Sequence, residues 1–269
     1  MELKQNPFTL YDFLGYFVPG ALFIFSILIG ISLVGQSIDP VKAFGFDTAE
    51  FYLLFILASY LFGHLLSFLS SITVERYSIW RVGYPSKYLL GATYPRYFDV
   101  KDPKITRYIV RTITAIFLFP ISIFDFLFGR LLRLNELFAK PLDDMLIRVI
   151  ISKTAVFLVS HAEIKKEDFK PKEVDYFRII YHYCLEKAPA HNTKMQNYVA
   201  LYGFSRTITF ASIILFWISI IPIFTGIISI FIGGLLWVIA FISYLEFTKF
   251  YRRFSLEVLM SLVSIYEKE

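Results

Sequence analysis

Residues 207–245 run for 39 residues without a charged side chain. As one straight α-helix the stretch would be about 58 Å long, nearly twice the roughly 30 Å hydrocarbon core of a bilayer. Pro222 and the Thr225-Gly226 pair interrupt it near the middle. The block therefore predicts two spanning helices, 206–223 and 226–246, joined by a very tight turn. The chain as a whole agrees. Its 269 residues are 57% hydrophobic, against about 45–50% for an average soluble domain. The excess is concentrated in blocks, which points to an integral membrane protein.

Two further blocks lie near the start. Residues 13–34 and 51–72 each supply 22 residues without a charge, about 33 Å as helix and enough to span. The first contains Pro19 and Gly20. A helix begun at Pro19 would have only about 24 Å to Val34, so the proline is expected inside the span. Its ring opposes the carbonyl of Gly15 and removes one backbone bond, which predicts a kink eased by Gly15 and Gly20. Thr9 and Asp12 read as a helix start, and the aromatics around them suit headgroup depth. A cleaved signal peptide fits less well, because the start lacks a basic region and no A-x-A-like site follows.

Small residues mark packing seams. Ser59, Gly63, Ser67 and Ser71 fall four apart in the second span, and Gly226, Gly233 and Ala240 recur every seven residues in the fourth. Such stripes let another helix backbone approach closely. His64 lies beside the first stripe as the strongly titratable group of that span. It suits either a pore or proton path, or a neutral imidazole hydrogen-bonding across helices.

Residues 112–124 are apolar for only 13 residues, with Pro120 inside and arginines on both flanks. An interfacial or shallow re-entrant segment near 112–128 is expected in preference to a fifth span. Residues 144–160 carry Arg148 and Lys153 and read as a core helix of the non-membrane part. The segment 75–206 holds 21 basic against 13 acidic residues, a net of +8, whereas the short loop 35–50 is net −2. The positive-inside rule then places the central segment and both termini in the cytoplasm, at the inner membrane. The expected fold class is an all-α integral membrane protein with four transmembrane helices as two hairpins. Its organisation is an N-terminal hairpin (1–74), a helical cytoplasmic domain (75–205), a C-terminal hairpin (206–246) and a cytoplasmic tail (247–269).

Chemistry-bearing motifs are sparse. No Walker A, G-x-G-x-x-G, G-x-S-x-G or H-E-x-x-H pattern occurs. His182, Cys184 and His191 do not match a standard zinc spacing, and two residues only two apart on a helix point different ways. A packed cysteine and interfacial histidines explain them. Asp125, after an apolar run and near Arg130 and Arg133, suits an interfacial ion pair better than catalysis. Aromatics between the cations at 76–88 suit membrane anchoring better than nucleic-acid stacking. No catalytic residue, metal or cofactor is expected, and the partners expected are the lipid bilayer, a second copy and a cytoplasmic protein rather than nucleic acid.

The opening YDFLGYFVPGALF (11–23), and NYVALYGFSR (197–206) before a two-helix hairpin, resemble small multi-pass prokaryotic membrane proteins. Some proteins of that kind are transmembrane components of antiviral defence systems, in which a cytoplasmic sensor triggers membrane damage. Beside that resemblance, the small-residue seams, the kink at Pro19 and a sizeable cytoplasmic domain without a catalytic motif favour a non-enzymatic effector that oligomerises and perturbs the membrane when a cytoplasmic partner signals. A channel or transporter subunit, or a constitutive membrane scaffold, is the alternative.

Overall fold

The computed structural model describes residues 12–34, 49–93, 97–99, 104–132, 139–162, 165, 169–170, 174–220 and 227–265. Thr9, residues 35–48 of the acidic loop and the expected turn at 222–226 lie outside these residues. The described residues are helical, with no strand among them. A π-helical turn, Phe13–Phe17, leads into α1 (Val18–Val34). Helix α2 (Ala49–Ser70) continues through a second π-turn, Ser71–Glu75, into α3 (Arg76–Val82). Then follow α4 (Pro85–Tyr88), α5 (Ile105–Phe117), α6 (Phe119–Phe124) and a third π-turn, Asp125–Leu131. Helices α7 (Asp144–His161), α8 (Phe177–Lys187), α9 (Pro189–Ser219) and α10 (Ile227–Ile265) complete the order.

Among the described residues, four helices are long and apolar enough to cross a membrane: Phe13–Ile31, Ala49–Tyr88, Pro189–Ser219 and Ile230–Ile265. On α2, Leu53, Leu54, Leu57, Leu61 and Phe68 are each 59–63% exposed. An apolar face of that extent is not left in water and fits lipid contact. These features define an integral membrane protein.

The chain divides into two compact units. Unit 1 comprises Met1–Arg76, Ile113–Phe126 and Ala200–Phe247; unit 2 comprises Tyr77–Thr112, Leu127–Val199 and Thr248–Glu269. Helices α5, α9 and α10 each contribute residues to both.

In unit 1, α1 and α2 pack backbone to backbone. A Cβ on Gly20 would fall on the Ser59 carbonyl oxygen, and one on Gly63 would fall on the Tyr16 backbone. Only glycine permits that approach. Just before Pro19, the Val18 N–H reaches back to the Phe13 carbonyl. This longer-range π pattern accommodates the backbone donor that Pro19 lacks.

In unit 2 the core forms from Ile150, Phe157 and Leu158 of α7, Ile180 and Cys184 of α8, and Val258 and Leu262 of α10, all at most 3% exposed. The α7 and α8 positions repeat at helical spacing, giving each helix one buried stripe. Pro189 begins α9 directly after α8, at the first helical position where its missing N–H costs nothing. The helix that carries the third apolar block thus starts well before residue 206, where the expected span begins. Gly83, with φ 83°, ends α3 as its N–H bonds the Ile79 carbonyl at 2.9 Å, the usual left-handed helix stop. Residues 247–265 belong to the same helix as the fourth apolar block, and the boundary between the two units falls within it, at Phe247 and Thr248. They continue α10 without a break, because Phe254, Val258 and Leu262 recur every four residues and are buried.

Candidate functional site

The most distinctive polar group in unit 1 is Arg206. It lies on α9, where the uncharged block begins, and is 9% exposed. Its Nη1 donates to the Glu75 carboxylate, and its Nε donates to Ser70 Oγ at 3.1 Å. Nη2 lies 3.5 Å from both the Ser67 carbonyl and Ser67 Oγ. Ser70 in turn donates to the Ser67 carbonyl at 2.8 Å. Glu75 closes the Ser71–Glu75 π-turn, an irregularity of the kind that re-aims one side chain in a helix. One residue away, Ser205 Oγ lies 3.5 Å from the Glu246 carboxylate of α10. A guanidinium with several donors engaged and an acidic partner is the form in which a buried charge is tolerated. The arrangement is a charged joint among α2, α9 and α10. Sequence reading missed it, although one signal was present: Glu75 follows one apolar block and Arg206 precedes another, with opposite sign.

A second feature is an elbow between α5 and α6, where the Ile105–Phe117 and Phe119–Phe128 pieces meet at 87°. Leu118 leaves helical geometry (φ −86°, ψ 24°) and Pro120 follows in the first turn of α6. Such a break frees backbone carbonyls that must find donors away from water. Two side chains supply them, and a third caps a carbonyl of α6 just past the break. Ser122 Oγ donates to the Ala115 carbonyl at 2.9 Å, Trp217 Nε1 to Phe117 at 2.8 Å, and Trp237 Nε1 to Pro120 at 2.6 Å. The Trp237 ring also stacks on Phe124, with centroids 4.9 Å apart. Two indoles, one on each of the last two apolar helices, therefore hold the elbow. An elbow of this shape fits a broken span, a re-entrant loop or a turn from an interfacial helix into the membrane. Asp125 is 1% exposed just beyond it.

The residues singled out from sequence fall in several places. Ser59, Gly63 and Ser67 are buried, Gly63 against the first helix as described, while Ser71 is half-buried and donates to the Phe68 carbonyl at 2.6 Å. Gly233 approaches α9, where an added Cβ would stand 3.0 Å from Ser219 Oγ, and Ala240 is fully buried. Gly226 lies outside the described residues. Gly15, Pro19 and Gly20 are buried around the first π-turn. His64 is exposed on the outer, apolar side of α2. Its ring stacks on Tyr16 at 3.8 Å between centroids and meets Tyr60 edge-on at 4.5 Å.

Unit 2 separates His182, Cys184 and His191. Cys184 is fully buried, with Sγ 3.6 Å from the Val258 carbonyl, and burial pushes its thiol up to about 12. That excludes thiolate chemistry near neutrality. His182 is exposed beside the Tyr181 ring. His191 Nδ1 lies 2.7 Å from Glu257 Oε1, and its Nε2 lies 3.3 Å from Ser264 Oγ. The order Ser–His–Glu is that of a hydrolytic triad. Ser264, however, donates to the Ser261 carbonyl at 2.9 Å within α10. A hydroxyl whose proton is directed elsewhere, on a residue whose N–H lies within a helix, has neither the base contact nor the oxyanion donor that acyl transfer needs. The contact ties the start of α9 to the end of α10. Among the described residues no group of three His, Cys, Asp or Glu side chains gathers as a metal site.

Comparison of the chain with protein-family models, curated proteins and solved structures found no match.

Proposed function

We propose that the protein is a non-enzymatic effector of the inner membrane that oligomerises and perturbs or depolarises the bilayer when a cytoplasmic protein partner signals, in antiviral defence. In this reading the central segment and both termini face the cytoplasm, as the charge asymmetry supports. The carrying observation is the Arg206–Glu75 joint. The charged groups at the ends of the apolar helices are engaged in joining helices to one another, with Arg206 almost fully covered. Breaking a buried pair costs about 3–5 kcal/mol, within reach of a binding event between proteins. Because α9 and α10 belong to both units, a partner acting on one end of either helix has a covalent route to the other.

The test is membrane potential, followed with a voltage-sensitive dye in cells expressing the chain alone and then with its genomic neighbours under phage challenge. Depolarisation only in the triggered cells is expected. An unchanged potential in both, with insertion verified, overturns the proposal.

A channel or transporter subunit is the second reading, favoured by the 87° elbow. Broken helices at membrane depth commonly line substrate or ion sites. Ion flux through the purified chain in vesicles, without any partner, would select it.

A further inference from the structure

Among the described residues, helix α5 combines two sharply different faces with an apolar face left largely exposed. Ile105, Ile109, Ile113 and Ile116 follow helical spacing along one side and are 76%, 51%, 61% and 61% exposed. Lys104, Arg107 and Arg111 repeat at the same spacing on the opposite side, and no acidic residue occurs from 104 to 117. The Arg111 guanidinium lies over the rings of Trp80 and Tyr97, 5.3 Å and 5.7 Å from their centroids. Tyr97 O–H donates to the Arg111 carbonyl at 2.8 Å, and burial raises the Tyr97 phenol to about 12 against the opposing pull of Arg111. The basic side is thus backed by aromatic residues of the kind that sit at headgroup depth. Alone, α5 is about 20 Å long, too short to cross the roughly 30 Å core, and at its end the chain turns by 87° rather than running on.

We infer that α5 lies in the plane of the membrane–water interface, with its isoleucine row in the acyl boundary and Lys104 and Arg107 among anionic phospholipid headgroups. A segregated apolar face with cations on the reverse is the form of an in-plane helix. The absence of any acid along it matches an anionic surface rather than a mixed-charge protein face. The inference is independent of whether the protein is an effector or a channel.

Site-directed spin labels at Ile105→Cys, Ile109→Cys, Ile113→Cys and Ile116→Cys test it, each in the full chain reconstituted in phosphatidylcholine vesicles with or without phosphatidylglycerol. Depth is read from the ratio of oxygen to nickel-chelate accessibility. An in-plane helix gives four similar depths, and Arg107→Cys gives a markedly more aqueous one. A spanning helix gives depths graded by about 1.5 Å per residue, roughly 16 Å between the outer labels, and overturns the inference. So do four water-exposed labels, or dipolar broadening between labels on separate copies. Removing phosphatidylglycerol should shift the four labels toward water, and Lys104→Gln with Arg107→Gln should abolish that shift. Depths indifferent to phosphatidylglycerol overturn the headgroup assignment.

Discussion

Arg206→Ala should damage this protein far more than removal of an ordinary surface arginine. The side chain is 11% exposed, that of its partner Glu75 is 22% exposed, and the guanidinium also holds Ser70 at 3.1 Å. Removing it leaves a largely buried carboxylate without its cation, and breaking such a pair costs about 3–5 kcal/mol. The residual exposure of Glu75 argues for the lower end, about 3 kcal/mol. At about 2–4 °C per kcal/mol for a chain of this size, Tm should fall by roughly 6–12 °C. The assay is thermal unfolding of the full chain in detergent, followed by tryptophan fluorescence. Arg253→Ala, at an exposed position of α10, is the control and should stay within about 0.5 kcal/mol. Arg206→Met combined with Glu75→Leu should recover most of the loss, because well-packed apolar replacements of a buried pair are close to neutral. An Arg206→Ala melt indistinguishable from the control would refute the reasoning. Strict additivity of Arg206→Ala and Glu75→Ala would do the same, since paired residues must couple.

The elbow, the glycine contact and the buried thiol give three more expectations. Trp217→Phe keeps an aromatic ring but leaves the Phe117 carbonyl without its indole donor and should cost about 1–3 kcal/mol in the same melt, while Trp237→Phe removes a second bond from the helical Pro120 carbonyl and should cost about 0.5–1.5 kcal/mol; no change in either would mean the indoles do not hold the elbow. Gly63→Ala drives a methyl into the Tyr16 backbone, whereas Gly234→Ala meets nothing within 4 Å. The first should lose more than the usual ~1–3 kcal/mol of overpacking and the second should stay within about 1 kcal/mol, so equal melts would contradict the α1–α2 contact. Cys184 should resist maleimide at pH 8 until the protein unfolds, since its thiol is raised from 9.0 to about 12 by burial. Because the folded value is the higher one, the stability it contributes is complete below about 9 and is lost as pH rises toward about 12. Rapid labelling of the native protein would sink this.

Some of the architecture was legible residue by residue. Uncharged length is a local property, so 13–34, 51–72 and 207–245 announced apolar helices without reference to the rest of the chain. Proline placement is local too, and Pro120 marks the interruption of the 112–124 run, where the chain breaks between α5 and α6. The seam at Ser59, Gly63 and Ser67 was visible as spacing, but its occupant was not. The stripe is filled from within the chain by Tyr16 and Gly20, which only the packing of α1 on α2 decides.

By itself the sequence determined the helical, lipid-facing character of the chain, because solvent preference is additive along a segment. The tertiary structure alone decided which polar groups meet. Glu75 and Arg206 are 131 residues apart, and the indoles reach the elbow carbonyls across 100 and 117 residues. Each pairing depends on the rotation and register of two helices packed together. That register follows from the close fit of many small contacts, and no local pattern encodes it.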